Sequence, residues 1–120
     1  IEHELSGIYD VAHGAGLSVI FPAWMKYVYK HDVERFAQFA VRVWDVDPDF
    51  SDLNWTAKEG IRKTKEYFKS IGMPTTLDEL GIPGNRLEEM AEKCTEDGPV
   101  GSFLKLNKAD VLKIYRIAQK

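Results

Sequence analysis

Residues 15–28 read AGLSVIFPAWMKYV, and this stretch decides the fold. Leu17, Val19, Ile20, Phe21, Ala23, Trp24 and Met25 leave almost no polar side, so a helix here has to be wrapped by others. Its apolar run, Leu17 to Met25, is about half of what a bilayer span requires, which makes it a core element rather than a membrane one. Pro22 lies inside it, removes the backbone bond to the Ser18 carbonyl, and predicts a kink that sets the Phe21–Trp24 region behind a site at the helix start.

Outward from this segment the helical period recurs and strand-like alternation is nearly missing. Val33, Phe36, Ala37, Ala40 and Trp44 form a stripe with Asp32 as N-cap. Ala57, Ile61, Thr64, Phe68 and Ile71 form a second, closed by Gly72 and Pro74. Thr76 with Glu79 has the capping-box pattern of a short turn ended by Gly81. Leu87, Met90, Ala91 and Cys94 make the next stripe, and Asn107 caps a last helix with Val111, Ile114, Tyr115 and Ala118 on one face. The linkers 45–52, 82–84 and 95–105 are rich in Pro, Gly and acidic residues. The expected architecture is an all-α bundle with the 15–28 helix at its centre.

Composition narrows the function classes. A chain of 120 residues with 44% hydrophobic and 29% charged residues is globular and fits one domain. A net charge of −3, with acidic and basic residues interspersed, predicts no nucleic-acid partner. The single cysteine, Cys94, excludes an internal disulfide and fits a reducing cytoplasm. A chain that opens on Ile1 amid dense sequence reads as a piece of something longer.

Two histidines precede the apolar segment, His3 and His13. On one straight helix they would stand about 80° and about 15 Å apart, too far for one metal ion. Glycines 7, 14 and 16 offer breaks, so a turn can aim both rings into one cavity, with His13 at a helix N-terminus that keeps its imidazole neutral. The bland alternative is a pair of satisfied core or surface rings. Other chemistries fit poorly. His3-Glu4 opens like a zinc-protease motif, but Gly7 stands where the second histidine belongs. Ser6 and Ser18 lie in no nucleophile elbow, Cys94 has no basic partner nearby, and no glycine-rich phosphate loop exists. His31, after Lys30, reads as a surface partner of a helix C-terminus.

The stretch HELSGIYDVAHGAGLSVIFP, from His3 to Pro22, resembles the second metal-binding signature of the iron-containing alcohol dehydrogenases. His3, His13-Gly14 and Pro22 occupy its fixed positions. FPAWMKYV, VRVWDV, GIRKTKEYFKSIGMPTTLDELGI and LNKADVLKIYRIA are similar to the butanol dehydrogenase-like branch. The resemblance implies that residues 1–120 are the C-terminal part of an all-helical metal-binding domain. The N-terminal NAD(P)-binding domain of the same polypeptide would be absent. It implies a metal-dependent alcohol dehydrogenase that interconverts small alcohols and aldehydes with NAD(P)H and Fe²⁺ or Zn²⁺, as a cytoplasmic homodimer without a membrane partner. By resemblance His13 is the last metal-binding histidine and His3 a proton-handling residue near the nicotinamide. The preceding ligand histidine falls upstream of Ile1, as do the Asp/His pair and the cofactor loop. The chain alone is therefore expected to fold, yet to bind metal poorly and turn over nothing. Glycerol dehydrogenase-like or dehydroquinate synthase-like relatives and a non-catalytic helical interaction module are the alternatives.

Overall fold

The computed structural model describes residues 13–101 and 103–119, with the His13 side chain outside that description. Among the described residues it has five α-helices: α1 (His13–Val28), α2 (Val33–Trp44), α3 (Leu53–Ser70), α4 (Leu87–Cys94) and α5 (Lys108–Ala118). Short 3₁₀ turns lie at Tyr29–Asp32 and Gly84–Arg86, and among the described residues no strand is present beyond an isolated antiparallel bridge between Val100 and Leu106. The expected all-α class is what the chain adopts.

Local chemistry explains where the helices start and stop. Asp32 caps α2 by accepting from the Arg35 backbone N–H, and Asp52 caps α3 by accepting from Trp55. Asn107 and Asp110 close a full capping box on α5. Helix α3 ends in a Schellman arrangement: Met73 N–H donates to Phe68 O at 2.9 Å and Gly72 N–H to Lys69 O at 3.0 Å. That turn needs the left-handed backbone that Gly72 supplies, with φ +82°. The Thr76–Glu79 pattern makes only half of its expected box. Thr76 Oγ1 accepts from the Glu79 N–H, while the Glu79 carboxylate accepts from the Thr75 and Thr76 hydroxyls. No helix follows, because Gly81 at φ +74° turns the chain within five residues and Pro83 follows.

Helices α2 and α3 form one closely packed pair, α4 and α5 pack on each other, and α1 bridges the two pairs by lying on α3 and α5. The pair is tight at Gly60, where a Cβ would stand 2.5 Å from Ala40 Cβ. One turn on, Trp44 Nε1 donates to Thr64 Oγ1 at 2.8 Å, and Thr64 in turn donates to Gly60 O. The turn after α3 docks on the end of α5, with Leu77 N–H donating to Ala118 O at 2.7 Å. The largest fully buried side chains are Tyr115, Met25, Leu77, Met90, Leu106 and Ile114, so α5 shares the centre of the core with α1.

Helix α1, expected to be wrapped by others, is covered unevenly among the described residues. Val19, Ile20, Ala23, Met25 and Val28 are buried, but Leu17 is 39% and Phe21 44% exposed. The physical reason is that α3 and α5 cover one side of the helix, while on the Leu17–Phe21 side the ring contacts with Phe36 and Phe103 are made by Trp24, one turn beyond Phe21. The molecule measures 42 × 32 × 19 Å, a slab about two helices thick.

Candidate functional site

Helix α1 is the element on which the candidate site depends. It runs through Pro22 without ending, and Pro22 is itself buried. Its start is tied down by Ser18, which is 1% exposed and whose hydroxyl lies 2.9 Å from Ala15 O and 2.5 Å from Pro74 O. This serine is a staple between α1 and the turn after α3, not a nucleophile. At the other end Tyr27 donates its hydroxyl to Asp110 Oδ1 at 2.5 Å, which joins α1 to the capping box of α5. That bond, with desolvation and the nearby carboxylate charge, raises the Tyr27 hydroxyl to about 12. The same bond and the Asn107 backbone N–H lower Asp110.

Of the two site residues picked from sequence, His3 lies outside the described residues. His13 is the first residue of α1 as described, and its side chain lies outside them. Leu17 and Phe21 follow His13 by four and eight residues, at helical spacing, and both are the exposed apolar positions noted above. Phe21 continues into an aromatic cluster. Trp24 lies 6.0 Å from Phe21 and 5.8 Å from Phe103, and Phe103 and Phe36 form a T-shaped pair at 5.8 Å. His31 also packs on Phe103, at 5.2 Å, and the Arg35 guanidinium stands 5.6 Å from its ring centroid. The exposed His31 beyond the end of α1 therefore has a ring partner that its place in the sequence does not suggest. Cys94 is a half-buried free thiol packed against the core.

Among the described residues no three of His, Cys, Asp and Glu come together to hold a metal ion. Nor is any described helix long and apolar enough to cross a membrane.

An all-α unit whose first helix opens on His13-Gly14 and carries a buried Pro22 fits the C-terminal helical domain that the resemblance implies. The chain belongs to the Fe-containing alcohol dehydrogenase family, whose C-terminal family model matches residues 1–119. It is 40% identical over 119 residues to NADH-dependent butanol dehydrogenase A of Clostridium acetobutylicum, covering 97% of this chain and 30% of that protein. It is 38% identical over 116 residues to probable NADH-dependent butanol dehydrogenase 1 of Bacillus subtilis, again covering 97% and 30%. The fold superposes on the crystal structure of NADH-dependent butanol dehydrogenase A from Thermotoga maritima with a TM-score of 0.87 and 34% identity, over 99% of this chain and 31% of that one. The chain thus spans about three tenths of the length of the relatives it matches.

One feature of the molecule escapes a reading of the sequence. Lys26 and Lys30, on α1 and the turn after it, stand opposite Lys58 and Lys65 on α3, around one cavity. Its signal is a helical stripe, Lys58, Arg62, Lys65 and Lys69, but charges interspersed along the chain conceal a cluster assembled from two helices.

Proposed function

We propose that the chain is the C-terminal part of the helical, metal-binding domain of a butanol dehydrogenase-like enzyme. The whole enzyme would interconvert primary alcohols and aldehydes with NAD(P)H. The observation that carries this reading is 40% identity to a butanol dehydrogenase over almost the whole chain. The same observation favours it over a glycerol dehydrogenase-like or dehydroquinate synthase-like activity and over a non-catalytic module.

In this reading residues 1–120 work with an N-terminal NAD(P)-binding domain of the same polypeptide, in a cytoplasmic homodimer. His13 is the chain's share of the ligand set for Fe²⁺ or Zn²⁺, a metal that when bound supplies Lewis acidity toward the substrate oxygen. The remaining ligands come from residues outside this chain. His3 accepts or returns the hydroxyl proton of the alcohol. Leu17 and Phe21, spaced along α1 from His13, give the alkyl part of a small alcohol an apolar wall and limit water there.

The test uses the enzyme with its upstream sequence restored. His13→Ala is expected to lose both bound metal, measured by elemental analysis, and butanal reduction. His3→Ala is expected to keep its metal while turnover falls and the pH profile changes. Metal lost from the His3 variant and kept in the His13 variant would reverse the two roles. The 120-residue chain alone, dialysed against Fe²⁺ or Zn²⁺, is expected to retain no tightly held ion. One tightly held metal per chain would refute the incomplete ligand set.

A further inference from the structure

Between α1, α3 and the end of α5 lies a cavity of about 470 Å³, within the size range of small-molecule sites. Its floor is apolar, built from Val19 and Ala23 of α1, Ile61 of α3 and Ala118 of α5. Its rim is cationic, with Lys26, Lys30, Lys58 and Lys65 all contributing. The carboxylate at the rim, Glu59, is already held by Arg62 at 2.8 Å, and among the described residues none of the four lysines has an ion-pair partner. Crowding adds to this: burial, then the charges of Lys69 and Lys26, lower Lys65, with Glu79 opposing. A second observation points the same way. Tyr29 lines the cavity, is 4% exposed, and has no hydrogen-bond partner for its hydroxyl among the described residues. A buried hydroxyl without a partner is costly, and a ligand oxygen would satisfy it.

We propose that this cavity binds an aliphatic anion, an unbranched alkyl chain carrying a phosphate or carboxylate. The tail lies on the Val19–Ile61–Ala118 floor, and the head group is held by the four lysines and the Tyr29 hydroxyl. The proposal rests on described residues from Val19 onward and stands whether or not the dehydrogenase reading does. Neither half of the ligand suffices: a bare anion would leave the floor wet, and a neutral alkane would leave four cations crowded at the rim.

The experiment is calorimetric titration of the chain with octyl phosphate, with circular dichroism confirming that every variant keeps its helices. Saturable binding at one site is expected, with octanol and inorganic phosphate each weaker by about tenfold or more, the factor that 1.4 kcal/mol represents. The exposed-rim variant Lys26→Gln/Lys58→Gln is expected to weaken octyl phosphate by a similar factor, and Tyr29→Phe to weaken it severalfold. Failure to saturate, octanol binding as well as octyl phosphate, or unchanged affinity in both variants would overturn the proposal. Vesicles of phosphatidylcholine and phosphatidic acid distinguish a membrane head group from a free ligand. Binding to vesicles without binding to soluble octyl phosphate would also overturn it.

Discussion

Replacing Gly60 by alanine sets two effects of known sign against each other. In an isolated helix the change stabilises by about 1 kcal/mol, because alanine has the higher helix propensity. Between these two helices the new methyl would stand 2.5 Å from Ala40 Cβ and 2.9 Å from the Ala40 α-carbon, against about 3.5–4.0 Å for carbons at optimal separation. The second clash is with backbone, so no side-chain rotation relieves it, and α2 and α3 have to part by roughly 1 Å. Overpacking of this kind costs about 1–3 kcal/mol. Separation also stretches the Trp44–Thr64 bond one turn away, at 2.8 Å in the native packing. The expected net result is a loss of about 1–2 kcal/mol, because the strain and the weakened bond together outweigh propensity. In urea denaturation followed by far-UV circular dichroism the midpoint should fall with an unchanged slope, and Tm should drop by about 4–8 °C. Ala40→Gly in the same background should restore part of the loss, with a coupling of about 0.5–1.5 kcal/mol. It removes the methyl that the new side chain meets at 2.5 Å and leaves the Ala40 backbone, at 2.9 Å, where it was. A Gly60→Ala chain at least as stable as the parent, or strict additivity in the double variant, would refute the close-packing argument.

Asn107→Ala removes the side-chain half of the α5 capping box and should cost about 1 kcal/mol by the same denaturation assay. Ser18→Ala leaves the Pro74 carbonyl without its donor in a buried setting and should cost about 1–3 kcal/mol, whereas a neutral outcome would mean water replaces the hydroxyl. Tyr27→Phe tests linkage in both directions. Tyr27 is raised on folding, so its contribution is fully present below about pH 10 and is lost as pH rises toward 12. Asp110 is lowered, so its contribution is present above the usual carboxylate range and is lost as pH falls through its folded value. A stability–pH curve for Tyr27→Phe should lack the alkaline loss and have a shallower acid limb, and a curve parallel to the parent's would disprove the coupling.

Helices α2 to α5 were legible because each carries a stripe that only a 3.6-residue period explains, and because Asp32 and Asn107 mark two starts with side chains that accept from the backbone. The start of α3 was less so. Its first turn, Leu53-Asn54-Trp55, stands outside the Ala57–Ile61–Thr64 stripe, although Asp52 caps it. Phe103 could not be read from its surroundings. It sits in a linker of Pro, Gly and acidic residues, and its partners Trp24, His31 and Phe36 are remote in sequence. The site divides in the same way. His3 and His13 drew notice as residue types, but ten-residue spacing alone leaves their roles open, and those came from the family signature. The cationic cavity needs two helices brought face to face, a fact about packing that no single periodicity contains.

A body 19 Å thick has no middle layer, so each of its helices is also part of its skin. Helix α1 is nonetheless apolar on almost every side, more than its neighbours in such a sheet of helices can take up. The uncovered two-fifths of Leu17 and of Phe21 correspond to about 1 kcal/mol each in unrealised burial. Polypeptide added to this chain therefore gains most by lying along that outer side, which makes it the natural seam along which a larger molecule would be joined. Without such a covering, the same strip is where concentrated solutions of the 120-residue chain should begin to self-associate.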